Sequence, residues 1–258
     1  MSDSDAGAGA DPIAVARAAD RRTLTEAESK TLLREAGIET TAFAVAGDAD
    51  GAVAAAGEIG FPVVLKVSSP AVTHKSEWGD GAGVAVGLGT AEEVRGAAER
   101  IETAAERDGI DADLLVEELR DTDAGTEVIV GGLRDHSFGP VVLAGLGGVF
   151  AEAFEDTTHR LAPVDRAEAR AAVEELRAAD LLAGYRGSEP ADVDALADAV
   201  AAVGDLLVAH EAIVEVDVNP VLATGEGATA LDALVVLSGE EGDPENGDRA
   251  EGGRGASR

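Results

Sequence analysis

The chain has 258 residues, 45% of them hydrophobic and 3% aromatic, which is enough for one large domain or two small lobes around an aliphatic core. With no cysteine, disulfide frameworks and thiolate-ligated metals are excluded. The 51 acidic side chains against 20 basic ones give a net charge of -31, which disfavours a nucleic-acid partner and matches adaptation to very high salt, where screening is nearly complete and carboxylates keep the surface hydrated.

Residues 1–22 are acidic, Ala/Gly-rich and aperiodic, and read as a flexible N-terminus without a signal peptide. No apolar run is long enough for a membrane span, so a cytoplasmic protein is expected. LTEAESKTLLREAG reads as a helix, with Thr25 and Glu28 as a capping box and Gly37 beyond its end. A helix over 49–59 is stopped by Gly60, and FPVVLKV and residues 82–88 follow as strands separated by a glycine-rich loop. Thr90 and Glu93 cap a helix that runs to Asp108. ADLLVEEL, GTEVIVGGL and GPVVLAGLGG read as consecutive strands, and the Ala/Glu-rich stretches 165–179 and 192–210 as helices. AIVEVDV and ATALDALVVL close the pattern as two strands, and residues 239–258 read as a disordered tail. Helices and strands mix without regular βαβ alternation, so the fold class is α+β, or mixed α/β, in two lobes.

The chain has only three lysines and four histidines against seventeen arginines, so each lysine is informative. Lys66, at the end of an apolar strand, either faces solvent or serves phosphate as a compact point charge. His74 and Lys75 stand side by side before Gly79, Gly81 and Gly83. That stretch is either an ordinary loop or a set of backbone N–H groups converging on an anion, where an imidazole can accept a phosphoryl group. Glu77 and Asp80 put negative charge in the same loop, which a divalent cation would offset. Gly145, Gly147 and Gly148 follow a strand but make no dinucleotide fingerprint, because Phe150 stands at the third small position. They form a tight turn or a second phosphate-facing backbone, and Arg160 is a phosphate clamp or a surface arginine. Asp217, Asn219 and Asp232 come together if the last two strands pair, and such oxygen ligands suit Mg²⁺ completed by water and nucleotide phosphates.

Four stretches, LTEAESKTLLREAGI, FPVVLKVSSPAVTHKSEWG, EVIVGGLRDHSFGPVVLAGLGGVFAEAFEDTTHRLAP and EVDVNP, carry a resemblance from Leu24 to Leu237. The chain resembles the β subunit of ADP-forming acetate–CoA ligase, an NDP-forming acyl-CoA synthetase related to succinyl-CoA synthetase β. The resemblance implies an ATP-grasp fold with two lobes enclosing a nucleotide, 23–116 the small lobe and 117–238 the large. It implies that Lys66 contacts the nucleotide's phosphates, with Lys75 beside it, and that His74 is transiently phosphorylated. Val116, Glu117, Glu118 and Leu119 fall on the hinge whose backbone holds adenine, with Glu127 further along the nucleotide side. Arg160 matches the arginine of the RLAP motif, and Asn219 and Asp232 the Mg²⁺ ligands. ATP or ADP and Mg²⁺ are the implied ligands. A separate CoA-binding α subunit is the implied partner in a hetero-oligomer, for instance two α with two β. The implied enzyme is an ADP-forming acid–thiol ligase. A self-contained ATP-grasp carboxylate ligase without a phosphohistidine and a non-catalytic nucleotide-sensing subunit are the other readings. One departure stands out: HKSEWGDGAGV is longer than the family's HKSDVGGV, with Glu77 for Asp and with Trp78 and an Asp-Gly pair added.

Overall fold

The computed structural model describes residues 11–72, 75–147, 156–184 and 189–239. Helix α1 (Pro12–Ala18) starts on Asp11, whose carboxylate accepts from the Ile13 N–H, and Pro12 supplies the φ of a first turn. Helix α2 (Glu26–Glu35) carries the expected capping box of Thr25 and Glu28. The short strands β1 (Glu39–Thr40) and β2 (Phe43–Ala46) lead to α3 (Ala49–Ile59), capped by Asp48. Strand β3 (Val63–Ser68) is followed by a 3₁₀ turn over Trp78–Gly81 and by β4 (Val84–Leu88). Helix α4 (Ala91–Asp108) runs from the Thr90 cap to Gly109, whose φ of 67° closes it. Then come β5 (Asp113–Glu118), β6 (Thr126–Asp135), β7 (Gly139–Leu146) and β8 (Thr157–Leu161). Helices α5 (Arg166–Glu174) and α6 (Val193–Ala209) precede β9 (Ile213–Thr224), β10 (Gly227–Ala230) and β11 (Leu234–Leu237).

The strands make two sheets. The smaller has the order β2-β5-β3-β4, and its Val63, Leu65, Leu114 and Val116 share a core with Ala52, Val94 and Ile101 of α3 and α4. The larger has the order β1-β10-β9-β6-β7-β8, with β11 also paired to β9. Val128, Val142 and Val216 of that sheet pack with Val203 and Leu207 of α6. The α+β expectation and the two-part architecture match this arrangement. No helix among the described residues is long and apolar enough to cross a membrane.

Several details differ from the sequence reading. Within the stretch expected to be loose to residue 22, α1 buries Ile13 and Ala16 in the core of the larger sheet. Flanking Ala, Gly and Asp residues hide those few apolar positions from a composition argument. Leu32 and Leu33 of α2 enter the same core, and β1 pairs with β10, so the apolar side of residues 24–40 packs with the larger sheet. The lobe boundary expected between 116 and 117 falls inside β5. ATALDALVVL is two strands, broken at Leu231–Ala233, with β10 and β11 pairing to different halves of β9. Residues 1–10 and 240–258, most of the expected tail, lie outside the described residues.

Candidate functional site

Strand alternation places Lys66 on the face of β3 opposite Val63, Leu65 and Val67, which are fully buried in the smaller core. Lys66 therefore meets the start of α2, where Glu26 is 4% exposed. Its Nζ lies 2.5 Å from Glu26 Oε1, 2.7 Å from Glu117 Oε2 and 4.0 Å from Asp232 Oδ2. Lys75 bonds the second Glu26 oxygen, Oε2. Lys30, one turn along α2 and 0% exposed, is 3.1 Å from Glu26 Oε1 and also bonds Glu117 Oε1. It donates further to Thr41 Oγ1 at 3.2 Å and to the Leu231 carbonyl at 2.7 Å. All three lysines of the chain thus converge on two carboxylates.

Charge in this cluster is set by competition. Burial pushes the Glu26 carboxyl up, but Lys66, Lys30 and Lys75 outweigh it and hold its pKa down at about 2. At Glu117 burial, joined by repulsion from Glu26, outweighs the lysines and leaves the carboxyl raised. Burial disfavours the Lys66 ammonium, yet Glu26, Glu117 and Asp232 more than restore it, so its pKa is raised.

Beside the cluster opens a cavity of about 380 Å³ lined by Glu26, Ser68, Lys75, Asp217, Asn219 and Asp232, among others. The pairing of Leu234 with Asp217 brings these three oxygen-bearing residues of the larger sheet together, as the sequence suggested. Asp232, however, sits in the break between β10 and β11 and not on a strand. Burial raises the Asp217 carboxyl, and Glu215 and Asp232 add to it; Asp232 is raised by burial and by Glu26. Among the described residues no group of three or more His, Cys, Asp or Glu is arranged to hold a metal ion. Two carboxylates and one amide oxygen around a polar cavity nevertheless fit Mg²⁺, which uses one or two carboxylates and takes its other ligands from phosphate and water.

Other expected residues stand elsewhere. Val116 is fully buried in the smaller core, and Glu117 belongs to the lysine cluster. The N–H groups of Glu118 and Leu119 already donate to Ala42 O at 2.8 Å and Pro62 O at 3.4 Å. Strand β5 is bonded on both sides, so the hinge's amides at 118 and 119 are taken up by neighbours. Glu127 lies on β6 opposite Leu222, outside the lining of this cavity. Arg160 pairs in register with the buried Val142, on the helix-covered face of the larger sheet, and donates to Glu175 at 2.6 Å. Arg160 thus pairs with Glu175 at the end of α5, outside the lining of this cavity. His74 and Gly148 lie outside the described residues.

The loop after His74 turns away from the cavity. Trp78 packs against the smaller core, Asp80 pairs with Arg107 of α4 at 3.2 Å, and the Gly83 N–H donates to the Trp78 carbonyl. Of Lys75, Gly79, Gly81 and Gly83, only Lys75 lines the cavity; Gly79 packs against Ala104 of α4, and Gly83 lies against Lys75 and Trp78 of its own loop. The residues added to this loop anchor it to the smaller lobe. Sequence reasoning missed Glu26 and Lys30. The available signal was the scarcity of lysine, which applied to Lys30 as much as to Lys66.

A family model described as ATP-grasp domain matches residues 15–237. The β subunit of ADP-forming acetate–CoA ligase I from Pyrococcus furiosus is 41% identical over 220 residues, covering 85% of this chain and 94% of its own length. The chain belongs to the ATP-grasp family of ADP-forming acetate–CoA ligase β subunits. Archaeoglobus fulgidus ADP-forming acetate–CoA ligase I is 40% identical over 221 residues, 83% of this chain but 31% of its own length. This β-subunit chain is thus similar to a part of that longer protein. A solved structure of the dinucleotide-forming acetyl-coenzyme A synthetase 1 of Ca. Korarchaeum cryptofilum superposes with a TM-score of 0.77 at 40% identity, covering 88% of this chain and 99% of that one. That structure holds coenzyme A and Mg-AMPPCP, and its phosphohistidine segment points towards the nucleotide-binding site.

Proposed function

We propose that this chain is the nucleotide-binding β subunit of an ADP-forming acyl-CoA ligase, acetate–CoA ligase being the nearest description. It would work with a separate CoA-binding α subunit in the reversible reaction acyl-CoA + ADP + phosphate ⇌ acid + CoA + ATP. The observation that carries this reading is the convergence of all three lysines on one cluster beside an oxygen-lined cavity, with Lys75 adjacent in sequence to His74. Relatives bearing the same family name and a phosphohistidine segment directed at nucleotide support it.

In this mechanism Lys66 and Lys75 neutralise the phosphates of ADP in the cavity. His74 carries the phosphoryl group on a ring nitrogen. A terminal oxygen of ADP attacks the phosphorus, the P–N bond breaks, and the electron pair returns to the imidazole. A nitrogen carrier splits one transfer into two easier ones, while charge and positioning do most of the catalysis. Asn219 and Asp232, with Asp217 beside them, would hold Mg²⁺, which supplies charge neutralisation on the phosphates when bound. The adenine contact assigned to Val116–Leu119 would fall at the outer end of that stretch, on Glu118 and Leu119, through groups other than their two engaged amides. Glu127 would stand further along the nucleotide side.

The test is His74→Ala assayed with the α partner. Overall turnover should vanish, acid-labile ³²P from [γ-³²P]ATP should no longer appear on the chain, and ADP should bind within about twofold of wild type. Equal loss of turnover and ADP binding would sink the relay.

A further inference from the structure

We propose that Glu26 is an internal competitor for the nucleotide's phosphates, its carboxylate holding Lys66 and Lys75 in the nucleotide-free chain so that its displacement sets the affinity for ADP. This rests on the reading that the two lysines take phosphate. Each lysine gives its ammonium to a different oxygen of one carboxylate, Lys66 to Oε1 and Lys75 to Oε2. A carboxylate bridging two ammonium groups occupies the same donors that two non-bridging phosphate oxygens would take. Glu26 lines the cavity itself, so an arriving anion and this side chain meet at one place.

Charge counting points the same way. Lys30, Lys66 and Lys75 are matched by Glu26, Glu117 and Asp232, leaving no spare positive charge for a ligand while Glu26 stays on its partners. Lys30 makes the exchange feasible. It is fully buried, is fixed by Thr41 and the Leu231 carbonyl, and already lies 3.1 Å from Glu26 Oε1. When Glu26 leaves Lys66 and Lys75 it keeps an ammonium partner one helical turn away, so no buried charge is stranded. Its place at the first position of α2 adds the favourable end of the helix dipole.

The test is MgADP binding by titration calorimetry on the full-length chain at fixed KCl. Glu26→Gln should bind about tenfold more tightly, because the competing charge is gone while the side-chain shape is kept. Unchanged or weaker binding overturns the proposal and makes Glu26 a support for the lysines. If circular dichroism shows that Glu26→Gln does not fold, Glu26→Asp replaces it. That variant keeps a charge near Lys30 but draws it back from Lys66 and Lys75, and tighter binding is again expected. Lys66→Met separates the two levels of inference. Loss of ADP binding upholds the phosphate reading whatever Glu26 does, whereas unchanged binding removes that reading and the competitor with it.

Discussion

Gly83 has no room for a side chain: an added Cβ would lie 2.1 Å from the Lys75 carbonyl oxygen and 3.2 Å from Trp78 Cε3. The carbonyl belongs to backbone and cannot swing aside as a side-chain tip would. Gly83→Ala should therefore shift the Lys75 backbone, costing about 2 kcal/mol by overpacking and lowering ADP-dependent turnover, as thermal melts and a coupled assay would read. Glu26 gives a second expectation at this scale. Its pKa is held at about 2 in place of 4.5, so its contribution is fully present above the unfolded value and lost as pH falls through the folded one. That contribution is on the order of 3 kcal/mol. Glu117 runs oppositely: its raised carboxyl favours the fold at low pH, and that part is lost as pH rises. Urea melts of wild type and Glu26→Gln should converge as pH drops from about 6 to about 2, and a constant gap would contradict this assignment.

Between elements, the lysine cluster is a joint. Lys30 on α2, which packs with the larger sheet, grips Glu117 on β5 of the smaller. Lys66 on β3 reaches back to Glu26 and Asp232. Lys30→Met should lose about 3–5 kcal/mol in urea denaturation, because it strips Glu26 and Glu117 of a buried partner. A loss under about 1 kcal/mol would show that Lys66 alone suffices. Sequence revealed the elements whose signals are local. The caps at Thr25 and Thr90, the stop at Gly60 and the apolar run of β3 gave α2, α4, α3 and that strand. It missed β8, whose TTHRL is polar up to its final Leu161 and is a strand only because β7 pairs with it. Within the site, Lys66, Asp217, Asn219 and Asp232 were legible as chemistry interrupting apolar strands. Glu26 and Lys30 look like the solvated face of an amphipathic helix, and only the docking of α2 between the sheets buries them.

For the molecule as a whole, a net charge of -31 predicts a fold that depends on screening. In molar KCl the Debye length shrinks to about 3 Å, and repulsion among surface carboxylates nearly vanishes. Far-UV circular dichroism should show native signal in molar KCl and its loss on dialysis into dilute buffer, with recovery when salt returns. Retention of fold and activity in dilute buffer would contradict a halophilic origin. The lysine cluster should feel salt far less than the surface does, since its partners are buried and screening acts weakly there.

Because the chain confines its ε-amino groups to that cluster, amine chemistry becomes a site-selective probe. Lys75, with 19% of its side chain exposed, is open to an acylating reagent, whereas Lys66, 12% exposed, is held as an ammonium by its carboxylates and Lys30 is sealed off. Intact-mass analysis could then follow occupancy directly. A bound nucleotide should shield Lys75 from acylation, so the protein comes with a footprinting assay written into its composition.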